Sequence, residues 1–366
     1  MPVEITGLVS HNTGAPLAPC PQSEFDVEAI VASAVAQEAA GYDRVLIANN
    51  AVAPDCHTIG TYVAANTTKL KLMLAHRPGF IAPTMGARML ATVDRLSKGR
   101  AGVHIIAGPS DKELEADGDF ISKDDRYARA REYVDILRRI WTSDAPIDHD
   151  GRFYRFNQAF AAIKPTAPLP VFWAGTSDTS LDACGASADV YAMSGDSVAS
   201  LTPLVAKAGA AAAKHGRKLD YMATLLVIIG ATEAEAWAKA DAALDGFYAL
   251  QARRAAEQGP STFGAPSAAL DRILSSAAVG TRQEKCLWTG MTQAAQGKFG
   301  NQTTLVGTPQ QVVEGLMDYY KLGFSRFLIR GYYPEQDIPD YGHELFPRLR
   351  AATEAYDLSR AELQDA

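Results

Sequence analysis

Residues 69–110 read KLKLMLAHRPGFIAPTMGARMLATVDRLSKGRAGVHIIAGPS, and their rhythm decides the fold. Leu70 to Ala75 is a short apolar run of strand-compatible residues, stopped by His76-Arg77-Pro78-Gly79. Pro83 to Leu96 then has helical spacing, with Met85, Met89, Val93 and Leu96 on one side. Gly99 closes that helix, and Val103 to Ala107 begins a second apolar strand. Strand, loop, helix and strand in so short a stretch make the βαβ unit of a parallel sheet. Polar residues sit where each strand ends, and in parallel α/β folds the loops after the strands carry the ligand site.

The same rhythm continues outward. Toward the N-terminus, Ile5 to Ser10 reads as a strand ending at His11-Asn12-Thr13-Gly14, and Glu24 to Ala40 as an amphipathic helix closed by Gly41. Arg44 to Ala48 is a second strand ending at Asn49-Asn50, and Thr58 to Ala65 is helical. Toward the C-terminus, Asp111 to Ser122 reads as loop and Asp124 to Trp141 as a strong helix. Asp150-Gly151 opens a hairpin carrying Phe153 to Phe156. Val171 to Ala174, Val190 to Met193, Leu225 to Ile229 and Phe327 to Ile329 supply strands five to eight. Eight strands with intervening helices predict one α/β domain over residues 1–366, a (β/α)8 TIM barrel rather than two domains. Residues 231–323, between strands seven and eight, form an insertion too long for a plain crossover. It begins with an Ala-rich helix, Glu233 to Glu257, and residues 290–302 (GMTQAAQGKFGNQ) are Gly- and Gln-rich, predicting a mobile lid loop.

Composition bounds the function. A net charge of −7 with no Lys/Arg block argues against a nucleic-acid partner. No apolar run approaches a membrane span, and the start, MPVEITGLVSHN, lacks the basic and apolar regions of a signal peptide. The four cysteines, Cys20, Cys56, Cys184 and Cys286, lack CxxC spacing and read as reduced thiols of a cytoplasmic protein.

Barrel enzymes take their site residues from the C-terminal ends of the strands. Here those ends offer His11, Asn49, His76, His104, Gly108, Ser110, Thr176, Ser177, Ser194, Thr224, Arg330 and Tyr332. Gly175-Thr176-Ser177-Asp178 lies between a strand and a helix, where exposed N–H groups attract anions; it reads either as a phosphate cradle or as a plain helix cap. His11, His76 and His104 have no HxH or HExxH spacing and no neighbouring carboxylate at a strand end, so no metal site is expected. They suit a polar wall around an aromatic or anionic ligand, or structural roles bonded to backbone. Cys56, beside His57, suits a pocket lining better than a nucleophile, since neighbours in sequence do not face each other as nucleophile and base must. No GxSxG, Walker loop or GxGxxG is present.

HRPGFIAPTMGARMLATVDRLSKGRAG, DDRYARAREYVDILRRIW, GRFYRF, PVFWAGTSD, KHGRKLDY, TTLVGTPQQVVEGL, LGFSRFLIRGYY and GHELFP occur in this order. In these blocks the chain resembles the flavin-dependent alkanesulfonate monooxygenases of the bacterial luciferase-like group. The resemblance implies a (β/α)8 barrel with an insertion before strand eight. It also implies reduced FMN delivered by a separate NAD(P)H-dependent flavin reductase, reaction with O2 through a peroxyflavin to oxygenate a small-molecule substrate, and assembly as a homodimer or homotetramer. Gly108, Tyr127, Gly175, Thr176 and Ser177 match positions for phosphate and ribityl. His11, Asn49, His76 and His104 match the surroundings of the ring, with His104 where the family usually has Asn. Cys56 and Tyr332 match pocket positions, and His11, His104 and Tyr332 are the catalytic candidates.

The departures lie on the substrate side. Sulfonate-oxidising members carry an Arg-x-His pair on strand seven and a Trp after strand six. This chain has Thr224 and Leu226 at the pair and Ser194 at the Trp, and Lys298 stands for the lid arginine. Burying a sulfonate requires compensating charge. The rebuilt pocket therefore suits a neutral or weakly anionic organosulfur or other small compound. The rival is a true sulfonate monooxygenase with its cation relocated to Arg330 and Lys298. A deazaflavin-dependent oxidoreductase and a non-catalytic flavin-binding protein share the same barrel.

Overall fold

Each apolar run becomes a strand of one barrel in the computed structural model, which describes residues 2–12, 17, 24–108, 111–258, 268–296 and 303–365. The barrel strands are β1 (Glu4–Val9), β2 (Arg44–Ile47), β3 (Lys71–His76), β4 (Val103–Ile105), β5 (Val171–Trp173), β6 (Val190–Ser194), β7 (Asp220–Ile229) and β8 (Phe324–Arg330). All pair in parallel with their neighbours, and β8 pairs with β1, which closes the ring. The helices between and around them are α1 (Val27–Ala39), α2 (Cys56–Ala65), α3 (Pro83–Leu96), α4 (Asp111–Ala116), α5 (Lys123–Thr142), α6 (Asp178–Ser187), α7 (Val198–Ala213), α8 (Glu233–Gln258), α9 (Ala268–Ala277), α10 (Gly290–Ala295), α11 (Pro309–Leu322), α12 (Pro334–Asp340) and α13 (Phe346–Asp365). Among the described residues, no helix is long and apolar enough to cross a membrane.

Side chains alternate along a strand, so each barrel strand sends every second residue inward. The inward residues form layers. At the bottom, Glu4 accepts from Arg44 Nε at 2.9 Å and pairs with Arg326 at 2.9 Å and Lys71 at 3.4 Å, while Arg326 also meets Asp220 at 3.0 Å. Above them Met73, Phe172, Val190, Met222 and Leu328 make an apolar middle layer, with the Arg44 guanidinium 5.1 Å from the centre of the Phe172 ring. The outward residues pack against the helices. Behind β3, His76 Nδ1 meets His57 Nε2 of α2 at 3.3 Å and His76 Nε2 meets the Tyr133 hydroxyl of α5 at 2.8 Å, tying two helices to the wall.

The excursions differ from the sequence reading in two places. Asp111–Ala116 is a helix rather than loop, because buried Arg77 pairs with Glu113 and with Asp117 (3.4 Å) and Leu114 is buried beneath it. The insertion contains strands. β7 runs past the barrel, and its upper half pairs in parallel with Thr304–Gly307 from Leu226 onward, on the edge where β6 has already ended at Ser194. Two short strands, Arg282–Gln283 and Leu287–Trp288, extend that ledge. Of residues 290–302, Gly290–Ala295 form the short helix α10 with Met291 and Ala295 buried, and 297–302 lie outside the described residues.

The bottom layer carries a pH dependence. Burial opposes ionisation of Glu4, but Arg44, Arg326 and Lys71 override it and bring its pKa from 4.5 to about 2. A carboxylate held below its unfolded value stabilises the fold above pH 4.5, and that stability is lost as pH falls through the folded value. Glu4→Gln leaves buried Arg44 without a carboxylate. It should lower stability at pH 7 by about 3 kcal/mol, with the gap to wild type closing as the pH is taken from 4.5 toward 2. Urea unfolding across that range reads both effects; equal stability at pH 7 would contradict the ionic floor.

Candidate active site

The inward positions near the strands' C-terminal ends differ from their neighbours in accessibility. Leu8, Leu46, Ala192, Ser194, Thr224 and Arg330 are part-exposed, whereas the outward residues beside them (Val9, Ile47, Met193, Leu225 and Ile329) are buried. With the bottom plugged by ions and the middle by apolar side chains, the solvent that reaches the interior enters at this end. The mouth is therefore a cavity over the C-terminal ends of the strands, where barrel enzymes place their chemistry.

On the β5 side of the mouth lies the turn between β5 and α6. Gly175 follows β5 with φ +122, a backbone conformation that favours glycine. A Cβ there would stand 2.6 Å from the Tyr127 hydroxyl, so Tyr127 of α5 lies directly against this turn. Tyr191 donates to the Gly175 carbonyl at 2.9 Å, which fixes the turn from the next strand. Ser177 is the N-cap of α6, its hydroxyl accepting from Ser180 N at 3.3 Å, and Gly175, Thr176 and Ser177 are all part-exposed. The start of this ten-residue helix presents N–H groups and the positive end of its dipole, which favour an anion. Gly108, also part-exposed, turns the chain after β4 at φ +91, where a Cβ would meet Leu114. Ser110 lies outside the described residues.

The histidines separate by strand parity. His104 pairs in register with Ala75 and inward Phe172, so it faces the interior; its Nδ1 has no hydrogen-bond partner. Burial lowers its pKa to about 4, despite the opposing Phe172 backbone, and leaves a neutral ring at pH 7. His76 has the opposite parity. Both its nitrogens are taken behind β3, and burial with the neighbouring His57 lowers its pKa to about 3, so it does not join the wall of the mouth expected from the sequence. His11 follows β1 and is part-exposed, with its carbonyl accepting from Asp26. Asn49 reaches the Ala75 carbonyl at 3.5 Å beside Cys56. Cys56 is fully buried, its thiol donating to Ala75 O at 2.8 Å, and burial with Asp55 pushes the thiol up to about 12. The ligand atoms of Asp55, Cys56 and His57 approach within 4.8 Å of one another, with the Cys56 thiol engaged by the Ala75 carbonyl.

The β6–β8 side carries the remaining candidates. Ser194 and Thr224 face each other in register at the rim. Leu226 and Tyr332 are buried under the insertion with Trp288 and Met291, and the Tyr332 hydroxyl meets Thr304 Oγ1 at 2.9 Å. The ledge is anchored by Arg272 of α9, which pairs with buried Asp196 and donates to Ser194 O at 3.3 Å. Arg330 extends inward beside Leu226, its register partner. Lys298 lies outside the described residues. Leu8, Leu46 and Ala192, which line the same mouth, went unremarked in the sequence. Counting alternate positions outward from apolar Leu328 or Met73 would have found them, and would have turned His76 away.

Residues 7–326 match the family described as Luciferase-like monooxygenase. Among solved structures, an EDTA monooxygenase from Chelativorans sp. BNC1 superimposes with a TM-score of 0.76 at 18% identity, over 96% of this chain and 94% of that one. A riboflavin lyase with modified FMN and riboflavin gives 0.75 at 21% identity, over 96% and 92%. An F420-dependent secondary alcohol dehydrogenase in complex with an F420-acetone adduct gives 0.67 at 17%, over 95% and 99%. These likenesses are likenesses of fold. The family match runs from β1 into β8 and takes in the barrel, the turn before α6 and the insertion, and on that extent the chain belongs to the luciferase-like monooxygenase family.

Proposed function

We propose that this chain is the oxygenating component of a two-component monooxygenase that uses reduced FMN and O2 on a small organic substrate. The observation that carries the reading is the meeting of Tyr127 with Gly175, Thr176 and Ser177 at the start of α6, on the rim of a mouth open at the strands' C-terminal ends. The resemblance to alkanesulfonate monooxygenases identified the same four residues independently of this geometry. The reductase, the substrate's organosulfur character and assembly as a dimer or tetramer rest on that resemblance.

In this reading, Gly108, Tyr127, Gly175, Thr176 and Ser177 hold the phosphate and ribityl chain, with α6 N–H groups and hydroxyls as donors. Bound reduced FMN supplies the electrons that activate O2. The protein's part is to orient the ring, exclude water and keep charge low around it. His104 meets that need: it is inward, neutral, and has Nδ1 free to exchange one hydrogen bond with a ligand. His11 and Asn49 stand at the neighbouring strand ends, and Tyr332 with Leu226 forms a buried wall toward the insertion. An F420-using relative of the same fold makes a deazaflavin the second cofactor to test.

Two outcomes follow. Anaerobic titration should find reduced FMN bound more tightly than oxidised FMN and than F420. Tighter binding of F420 would move the reading to a deazaflavin oxidoreductase. Thr176→Val, which removes one hydroxyl from the cradle and keeps its shape, should weaken FMN binding about tenfold and leave riboflavin, which lacks the phosphate, unaffected. Equal losses for both flavins would remove the phosphate from this turn.

A further inference from the structure

Most arginines that reach the interior meet a carboxylate, and Arg100, which does not, is held by backbone carbonyls and the Thr67 hydroxyl. Arg44, Arg77, Arg126, Arg129, Arg272 and Arg326 each hold a guanidinium in or near the interior, and each meets a carboxylate: Glu4, Glu113, Asp111, Asp119, Asp196 and Asp220 respectively. Arg330 meets none among the described residues. Its Nε is buried without a hydrogen-bond partner, as are those of Arg77, Arg126, Arg129, Arg272 and Arg326, but unlike them it forms no ion pair with a described residue. Arginine does not escape burial by losing its proton, so the protein carries an uncompensated cation at the mouth. Such a charge is costly unless something pairs with it.

Its position says what that is. Arg330 ends β8 on the inward side, two residues above Leu328 of the apolar middle layer. Beside it stand Leu226, its register partner, and Tyr332, both buried, and the rim leucine Leu8 belongs to the adjoining β1. The anion cradle at Gly175–Ser177 follows β5, three strands away around the ring, so one phosphate does not occupy both places. A planar guanidinium matches the two oxygens of a carboxylate with two parallel hydrogen bonds. A tetrahedral sulfonate has a third oxygen to satisfy, and the strand-seven positions that would supply a second cation are Thr224 and Leu226.

We infer that Arg330 is the carboxylate-binding residue of the substrate pocket, and that the substrate is a small organic acid with an apolar body. This inference rests on the monooxygenase reading for the word substrate. It narrows the expectation of a neutral or weakly anionic compound, drawn from the missing Arg-x-His pair, to the weakly anionic side.

The test uses the full-length protein without flavin, with sodium hexanoate, hexane-1-sulfonate and 1-hexanol as probes and thermal unfolding and equilibrium binding as readouts. Hexanoate should raise Tm and bind more tightly than hexanesulfonate, with hexanol weakest. Arg330→Met should raise Tm of the ligand-free protein, because it removes a partly buried charge that pairs with no described residue, and should weaken hexanoate about tenfold or more while leaving hexanol unchanged. Arg330→Lys, which keeps the charge without the fork, should retain only part of the hexanoate affinity. A fall in Tm of the ligand-free Met variant would make Arg330 a structural residue and overturn the inference. A preference for hexanesulfonate would overturn the carboxylate assignment. Unchanged hexanoate binding in Arg330→Met, with weakened reduced FMN, would assign the cation to the flavin instead. None of the hexanoate readouts needs flavin, so failure of FMN to bind wild type would overturn the monooxygenase reading separately.

Discussion

One carboxylate shared among three cations sets the polarity of this barrel. Glu4 gathers Arg44, Arg326 and Lys71 at the N-terminal ends of four strands, and Asp220 balances Arg326. That network closes one end with charges that satisfy one another. The apolar layer of Met73, Phe172, Val190, Met222 and Leu328 then excludes water from the middle. Among the described residues, what is left is an interior accessible at the other end, where small or part-exposed residues replace the plug. The functional end is thus a consequence of how the opposite end is filled.

Charge around the mouth is managed on the same principle. Arg77 is neutralised by Glu113 and Asp117, and Arg272 by Asp196, so the loops over the barrel are pinned without leaving net charge inside. His57, His76 and His104 are all shifted downward by burial and stay neutral at pH 7. Against that background the guanidinium of Arg330 stands out as the inward charge at the mouth that pairs with no described carboxylate.

Much of this was legible in the sequence. The stretch from Lys69 to Ser110 contained strand, helix and strand at nearly their observed bounds, because Pro83 and Gly99 punctuate it and each apolar run has one period. The Gly175 turn was legible as the place where a strand gives way to a helix, and His104 as a polar residue within a short apolar strand. His76 was misplaced because standing at a strand end does not say which face a side chain takes; one residue of parity separates the cavity from the helix layer. The α4 helix was missed because DKELEA has no apolar stripe, only Leu114, and is held by an arginine far away in sequence. Thr304–Gly307 was missed because a four-residue strand on the extended edge of β7 has no signal apart from its long-range partner. That Arg330 turns inward without a described carboxylate beside it is a property of three-dimensional neighbours and has no trace in composition.

The measurement that bears most directly on the central claim is a crystal structure of the protein soaked with FMN. The account predicts the phosphate against Gly175, Thr176 and Ser177 with the Tyr127 hydroxyl in contact, and the ring over the strands' C-terminal ends beside His104. A flavin bound elsewhere, or a phosphate seated on Arg330 with the α6 turn empty, would contradict it.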